Sequence, residues 1–226
     1  MAGPKYDNPT VFNFLHDYGC DLRARRVFNH HAMGVSEEVG IIGIEYISRN
    51  LLHLDKSPGT VELWINNSGG WLHEMWAIID IMNVMENPVD TVCYGNASSA
   101  ACLLLASGTG TRYALPHASF MWHAGTTDIT DDMHWPDAVD RMEWEKRENE
   151  RWLDQMARVT TPLNSKGNKF RTHKDRISFW AEKAHGGGET WMDAKEMVAN
   201  GIVDEVWGPP APKARKKGEK GEKGEK

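Results

Sequence analysis

Three groups that an acyl-transfer site needs stand in order along this chain of 226 residues. Gly69 and Gly70 end the run Ile65-Asn66-Asn67-Ser68-Gly69-Gly70, Ser99 lies in Gly95-Asn96-Ala97-Ser98-Ser99-Ala100-Ala101, and His123 closes the apolar run Phe120-Met121-Trp122. A serine hydroxyl is a nucleophile once a neighbouring imidazole takes its proton, and backbone N–H groups at a glycine turn are donors for the oxyanion that then forms. A neutral imidazole near pH 7 can accept that proton and return it to a leaving amine. Taken singly, each feature has a plainer explanation. Ser99 fits tight helix–strand packing among Ala97, Ala100 and Ala101, His123 fits a buried strand, and Gly69-Gly70 fits a turn of special backbone angle. Ser98 competes with Ser99, because one residue at a helix start turns a side chain by about 100° and only one of the two can face a base.

The elements that must carry these groups follow from periodicity. Ser36 reads as a helix cap, with Glu37 and Glu38 in the first turn and Val39, Ile42, Tyr46 and Ile47 on one face. Residues 61–65 read as a short strand, after which Gly69-Gly70 opens a helix with Leu72, Met75, Trp76, Ile79 and Met82 on one side, stopped by Asn87-Pro88. Residues 91–94 read as the next strand, 100–106 as a helix and 120–122 as a third strand. Strand alternating with helix is the mark of an α/β sheet with crossover connections. Residues 126–132 read as a loop or exposed strand, and Pro136 fits the first turn of a long helix reaching about Arg158. Nine of the twelve residues from 140 to 151 are charged, which suits a solvated helix face.

The order of these motifs resembles the ClpP family, the self-compartmentalising serine peptidases that form the proteolytic part of the Clp protease. The resemblance runs from about Arg26 to Val206. Gly95-Asn96-Ala97-Ser98-Ser99 stands at the family's Gly-x-Ala-x-Ser, Ala114-Leu115-Pro116 with Met121-Trp122-His123 at its Leu-Pro then Met-x-His, and Glu196 to Asp204 at its closing Glu-Ala-x-x-x-Gly-Leu-x-Asp. The resemblance implies an α/β ClpP/crotonase-like fold, a right-handed spiral of β-β-α units with a protruding helical handle. It implies an N-terminal segment over 1–25, a peptidase domain over 26–208 with the handle at about 124–160, and a tail over 209–226. It implies Ser99 as nucleophile, His123 as general base and then acid, and the N–H groups of Gly70 and Ala100 as the oxyanion hole. Trp135, Met142, Trp144 and Trp152 would lie partly at an interface between rings, where Trp and Met are enriched.

Two departures from the family stand out. Its Asn-Ser-Pro-Gly-Gly is here Asn66-Asn67-Ser68-Gly69-Gly70, without the proline. Its orienting Asp, two residues ahead of an aromatic, is here Glu189 ahead of Trp191. Glu189 is thus the acid the alignment selects, with Asp193 and Asp175 as alternatives, and Gly186-Gly187-Gly188 before it gives the backbone room for a longer side chain. Asp193 suits the N-cap of a helix beginning at Ala194, with Glu196 completing a capping box. A polar, basic insertion spans 164–176.

Composition bounds what remains. The net charge is -6, and residues 211–226 carry seven Lys/Arg against three Glu, so the rest of the chain is more acidic than the whole. That excludes nucleic acid as a partner and makes the Gly-Glu-Lys tail a solvated, disordered segment. No run reaches the roughly 18 apolar residues of a membrane helix, and the first ten residues lack an export signal. Cys20, Cys93 and Cys102 fit a reducing, cytoplasmic setting rather than a disulfide framework, and His30-His31 reads as a loop rather than a ligand set. No metal or organic cofactor is implied. The reading is a serine endopeptidase acting on protein or peptide substrates within a homo-oligomeric ring, heptameric by resemblance, single or double, and served by an AAA+ unfoldase. The chain lacks a Gly-x-x-x-x-Gly-Lys of its own, so ATP use falls to that partner. Three other readings stay open: a phage head-maturation protease of the ClpP type, a catalytically inactive ring subunit, and a crotonase-type acyl-CoA enzyme.

Overall fold

Period-two burial organises the sheet. In β3 (Val61–Gly70) the side chains of Val61, Leu63, Ile65 and Asn67 face the core, while Glu62, Trp64 and Asn66 are half-buried on the other face, as a strand with one covered face requires. The computed structural model describes residues 19–33, 44–125, 134–185 and 188–208. Besides β3, the strands are β1 (Cys20–Asp21), β2 (Arg26–Met33), β4 (Val89–Ser98), β5 (Arg112–Ala114), β6 (Ser119–Trp122), β7 (Thr190–Asp193) and β8 (Glu205–Val206). The helices are α1 (Ile44–Leu54), α2 (Leu72–Val84), α3 (Ala100–Ala106), α4 (Trp135–Val159), α5 (His173–His185) and α6 (Ala194–Ala199).

The sheet runs β1-β2-β3-β4-β5-β8, parallel throughout except for β1 at one edge. Strand β4 has two successive partners on its far side. Its first half pairs β5, and its second half pairs β6 in parallel, with Ser98 opposite Met121. Strand β7 lies antiparallel on the outside of β6. This branching matters for function because it ends β4 and β6 side by side, at residues 98 and 122.

Helix α3 is buried at every residue, and α2 buries Met75, Ile78, Ile79 and Met82. Each buried Leu, Ile or Met among them contributes about 1.5–3 kcal/mol on burial. Helix α4 divides into two parts. Its second half packs into the core through Glu148, Trp152, Leu153, Met156 and Ala157, whereas Trp135, Met142 and Trp144 in its first half are exposed. Trp122 of β6 stacks on Trp152, with centroids 3.7 Å apart and planes 14° from parallel, and donates its Nε1–H to Trp180 O at 3.0 Å. The end of β6 is thereby tied to both long helices. Among the described residues, no helix is long and apolar enough to cross a membrane.

Several expectations are corrected. Trp152 is 2 % exposed and belongs to the core, not to an interface, because the Glu148, Trp152, Met156 stripe faces inward despite the charge around it. Residues 66–70 continue β3 rather than opening a helix, since pairing with β2 carries the strand on to Gly70; α2 begins at Leu72. His30-His31 lies in a strand, not a loop. The cap at Ser36, the preceding part of its helix, the stretch 126–132 and the tail fall outside the described residues. The capping box forms as expected: Asp193 accepts from the Lys195 and Glu196 N–H groups, and Glu196 accepts from the Asp193 N–H.

Candidate active site

The turn from β4 into α3 carries the serine. Ser99 has φ 55° and ψ -126°, a conformation that costs a non-glycine residue about 1–3 kcal/mol and persists where surrounding structure enforces it. Three contacts enforce it here. The Ser99 N–H donates to Met121 O at 2.8 Å, the Cys102 N–H donates to Ser99 O at 3.0 Å, and Gly69 packs against the turn from β3. A Cβ on Gly69 would stand 2.5 Å from Ser99 Cβ and 2.7 Å from Ser98 O, so only glycine fits. Gly95 has a similar task further back. A side chain there would collide with Asn66 Oδ1, which accepts the Asn96 N–H at 3.0 Å.

A sharp strand-to-helix turn of this kind presents one side chain to solvent and buries its neighbour. Ser98 is 2 % exposed and donates its hydroxyl to Asn96 Oδ1 at 2.7 Å. Ser99 instead faces a cleft of about 310 Å³ that is also lined by Gly70, Leu72, His123, Ala124 and Gly125. Helix α4 closes it with Glu145, Asn149 and Trp152, and the end of α5 with His185. Ser99 and His123 reach the same cleft because each follows directly on one of two paired parallel strands, the end of such a sheet where ligands bind. No hydrogen bond joins Ser99 to His123 among the described residues.

Glu189 lies one step beyond the β6–β7 ladder. That ladder pairs Met121 with Trp191 and Trp122 with Thr190, so its continuation sets Glu189 opposite His123. The carboxylate is turned elsewhere: it is exposed and accepts from Trp191 Nε1 at 3.0 Å. Glu189 is therefore near His123 in register without a hydrogen bond to it. Asp193 is taken up by the cap of α6, and Asp175 lies in the first turn of α5. Ser99, His123 and Gly70 come together in one cleft; the acid does not join them by contact.

The cysteines do not compete as nucleophiles. All three are buried free thiols, and burial pushes Cys20 and Cys93 up to about 12. Cys102, one turn beyond Ser99, is also raised by burial and donates its Sγ–H to Met121 O. Such groups are not thiolates at neutral pH.

Sequence reasoning missed Asn149, Glu145 and His185 as cleft residues, and no local pattern announces them. It also missed Asn67, whose Oδ1 accepts the Gly69 N–H at 2.7 Å. A legible signal for that was the Asn two residues before a glycine, the pattern of a side-chain turn.

A parallel sheet with a strained serine turn at its carboxyl end, a histidine following the strand on one side and a glycine pair ending the strand on the other is the layout of a hydrolase built on an α/β sheet. The family model described as Clp protease matches residues 21–209, and the chain belongs to that family. It is similar to the ATP-dependent Clp protease proteolytic subunit of Lactococcus lactis subsp. lactis, with 31% identity over 166 residues covering 71% of this chain and 74% of the relative. The proteins of that name from Streptococcus mutans serotype c (31%, covering 71% and 76%) and Streptococcus pyogenes serotype M5 (32%, covering 69% and 74%) are similar to the same degree. The chain is thus a ClpP-like peptidase.

Proposed function

We propose that the chain is a serine-type endopeptidase in which Ser99 attacks the scissile carbonyl and forms an acyl-enzyme that water then hydrolyses. His123 takes the Ser99 proton, gives it to the leaving amine, and repeats the exchange with water. The Gly70 and Ala100 N–H groups stabilise the oxyanion. The observation that carries this reading is the strained Ser99 turn opening on the cleft that His123 and Gly70 share. The Ser99–His123 hydrogen bond is formed on substrate binding, since catalytic contacts tighten in the Michaelis complex. Glu189 turns from Trp191 to the His123 ring at that point, supported by its register opposite His123. There it fixes the tautomer and stabilises the imidazolium.

The working form is a ring of identical subunits, supported by family membership and by the exposed Trp135 and Met142, which stand two turns apart on one face of α4, since exposed apolar side chains sharing a face mark interaction surfaces. The relatives are named ATP-dependent, and we assign the ATP step to a separate unfoldase that feeds protein substrates into a cytoplasmic complex. The test is hydrolysis of an internally quenched peptide by the full chain, with particle mass from light scattering. The expected result is turnover by a species several times 25.5 kDa and its loss by several orders of magnitude in Ser99→Ala with the assembly intact. A stable monomer overturns the ring, and full activity in Ser99→Ala overturns the nucleophile.

A further inference from the structure

A backbone segment that carries an oxyanion donor must keep its conformation through the reaction, because a displacement of about 1 Å costs on the order of 100-fold in rate. Proline ahead of the glycine pair fixes that backbone in the family pattern. Ser68 stands there in this chain, so the constraint must come from elsewhere. The ladders do not supply it. On the β2 side the partners of β3 pass from Asn67 to Gly70 across a bulge, and on the β4 side pairing stops at Asn67 opposite Ala97. Ser68 and Gly69 therefore lie in the irregular part of the strand.

A pair of buried amides occupies this place. Asn67 is 1 % exposed, and Asn29 on β2 is 2 % exposed. Asn67 Oδ1 accepts the Gly69 N–H at 2.7 Å, and Asn67 Nδ2 donates to Asn29 Oδ1. Gly69 is the residue that packs against Ser99, at φ 96°. Asn29 leaves its own Nδ2 buried and without a partner among the described residues. A buried orphan donor is unfavourable, and the hydrogen bond that the Asn29 side chain does make is the one its oxygen accepts from Asn67.

We propose that Asn67, seated on Asn29, is a positioning residue for peptide hydrolysis: it locks the Ser68–Gly69 peptide, and through it the Gly69-Gly70 segment, against the Ser99 turn and stands in for the missing proline. The inference rests on the serine-peptidase reading. Proline is tolerated at strand bulges, so the exchange of one device for the other can be tested directly.

The test compares the full-length wild type, Asn67→Ala and the double variant Asn67→Ser/Ser68→Pro in peptide hydrolysis, fluorophosphonate labelling rate and thermal melting. Asn67→Ala is expected to lower kcat roughly 10- to 100-fold with KM unchanged, a range at or below the loss of a whole oxyanion donor, and to slow labelling in parallel. The double variant is expected to regain most of both. Wild-type kcat in Asn67→Ala overturns the proposal. So does a loss that matches the unfolded fraction at the assay temperature, or a folded double variant as slow as Asn67→Ala. Should Asn67→Ala fail to fold, Asn67→Asp keeps the Gly69 acceptor, and Asn29 turned over offers it the orphan Nδ2. That variant is expected to fold with kcat within a few-fold of wild type, and a folded but slow Asn67→Asp overturns the proposal. A wild type that neither hydrolyses peptide nor labels overturns the serine-peptidase reading itself, and this inference with it.

Discussion

Ser99 leaves a ten-residue strand paired on both sides, donates its N–H to Met121 O and opens a helix buried at every residue. Glu189 precedes a four-residue strand paired on one side only, and its carboxylate is engaged by Trp191, which is itself exposed. Ser99, the proposed nucleophile, is thus fixed by the central sheet, whereas Glu189, the proposed acid, hangs from a short outer strand and has a competing partner. The difference separates two ways of building a site. On the proposed mechanism, the backbone places Ser99 before substrate arrives, and Glu189 is placed by a side-chain exchange.

The largest expected effect lies on the nucleophile side. Gly69→Ala forces a Cβ to 2.5 Å from Ser99 Cβ at a backbone angle that L side chains rarely adopt. We expect peptide turnover to fall by roughly 10²–10³-fold, the scale of losing an oxyanion donor, together with a lowered melting temperature. Wild-type turnover in Gly69→Ala would show that the sheet does not hold this half of the site rigidly. On the acid side, Glu189→Gln should lower kcat by about 10²-fold, at the low end of what acid–base groups supply. Trp191→Phe removes the competing donor and should leave kcat equal or higher. If Glu189→Gln is silent, another group orients His123.

Legibility follows the same division. The bounds of α3 were readable because a run of small and apolar residues between Ser99 and Ser107 has one compact solution, and Pro136 marked the start of α4. Ser99 and His123 were readable from motif order, and their meeting follows from the pairing of β4 with β6, which a single sequence does not display. Gly69-Gly70 was read as a turn opening a helix after a strand that ended at residue 65; tertiary pairing with β2 instead carries the strand on to Gly70. Trp152 was misread because the family resemblance grouped it with Trp135, Met142 and Trp144 at an interface, while the structure stacks it on Trp122 in the core. The acid was the least legible part: the alignment selects Glu189, and its carboxylate is bonded to Trp191 rather than to His123.

Effects on stability should follow burial. Trp152→Ala removes the ring stacked on Trp122 and should destabilise by about 3–5 kcal/mol, read by denaturant unfolding. An unchanged midpoint would place Trp152 outside the core. Asp193→Ala breaks the capping box of α6 and should cost about 1 kcal/mol with kcat nearly unchanged. A collapse of kcat at constant stability would move the acid role to Asp193.

The most direct measurement is labelling of the intact chain with a fluorophosphonate, followed by peptide mass mapping. The account predicts one adduct, on Ser99, abolished in Ser99→Ala and in His123→Ala and retained in Ser98→Ala. An adduct on Ser98 or on another residue, or labelling undiminished without His123, would contradict it.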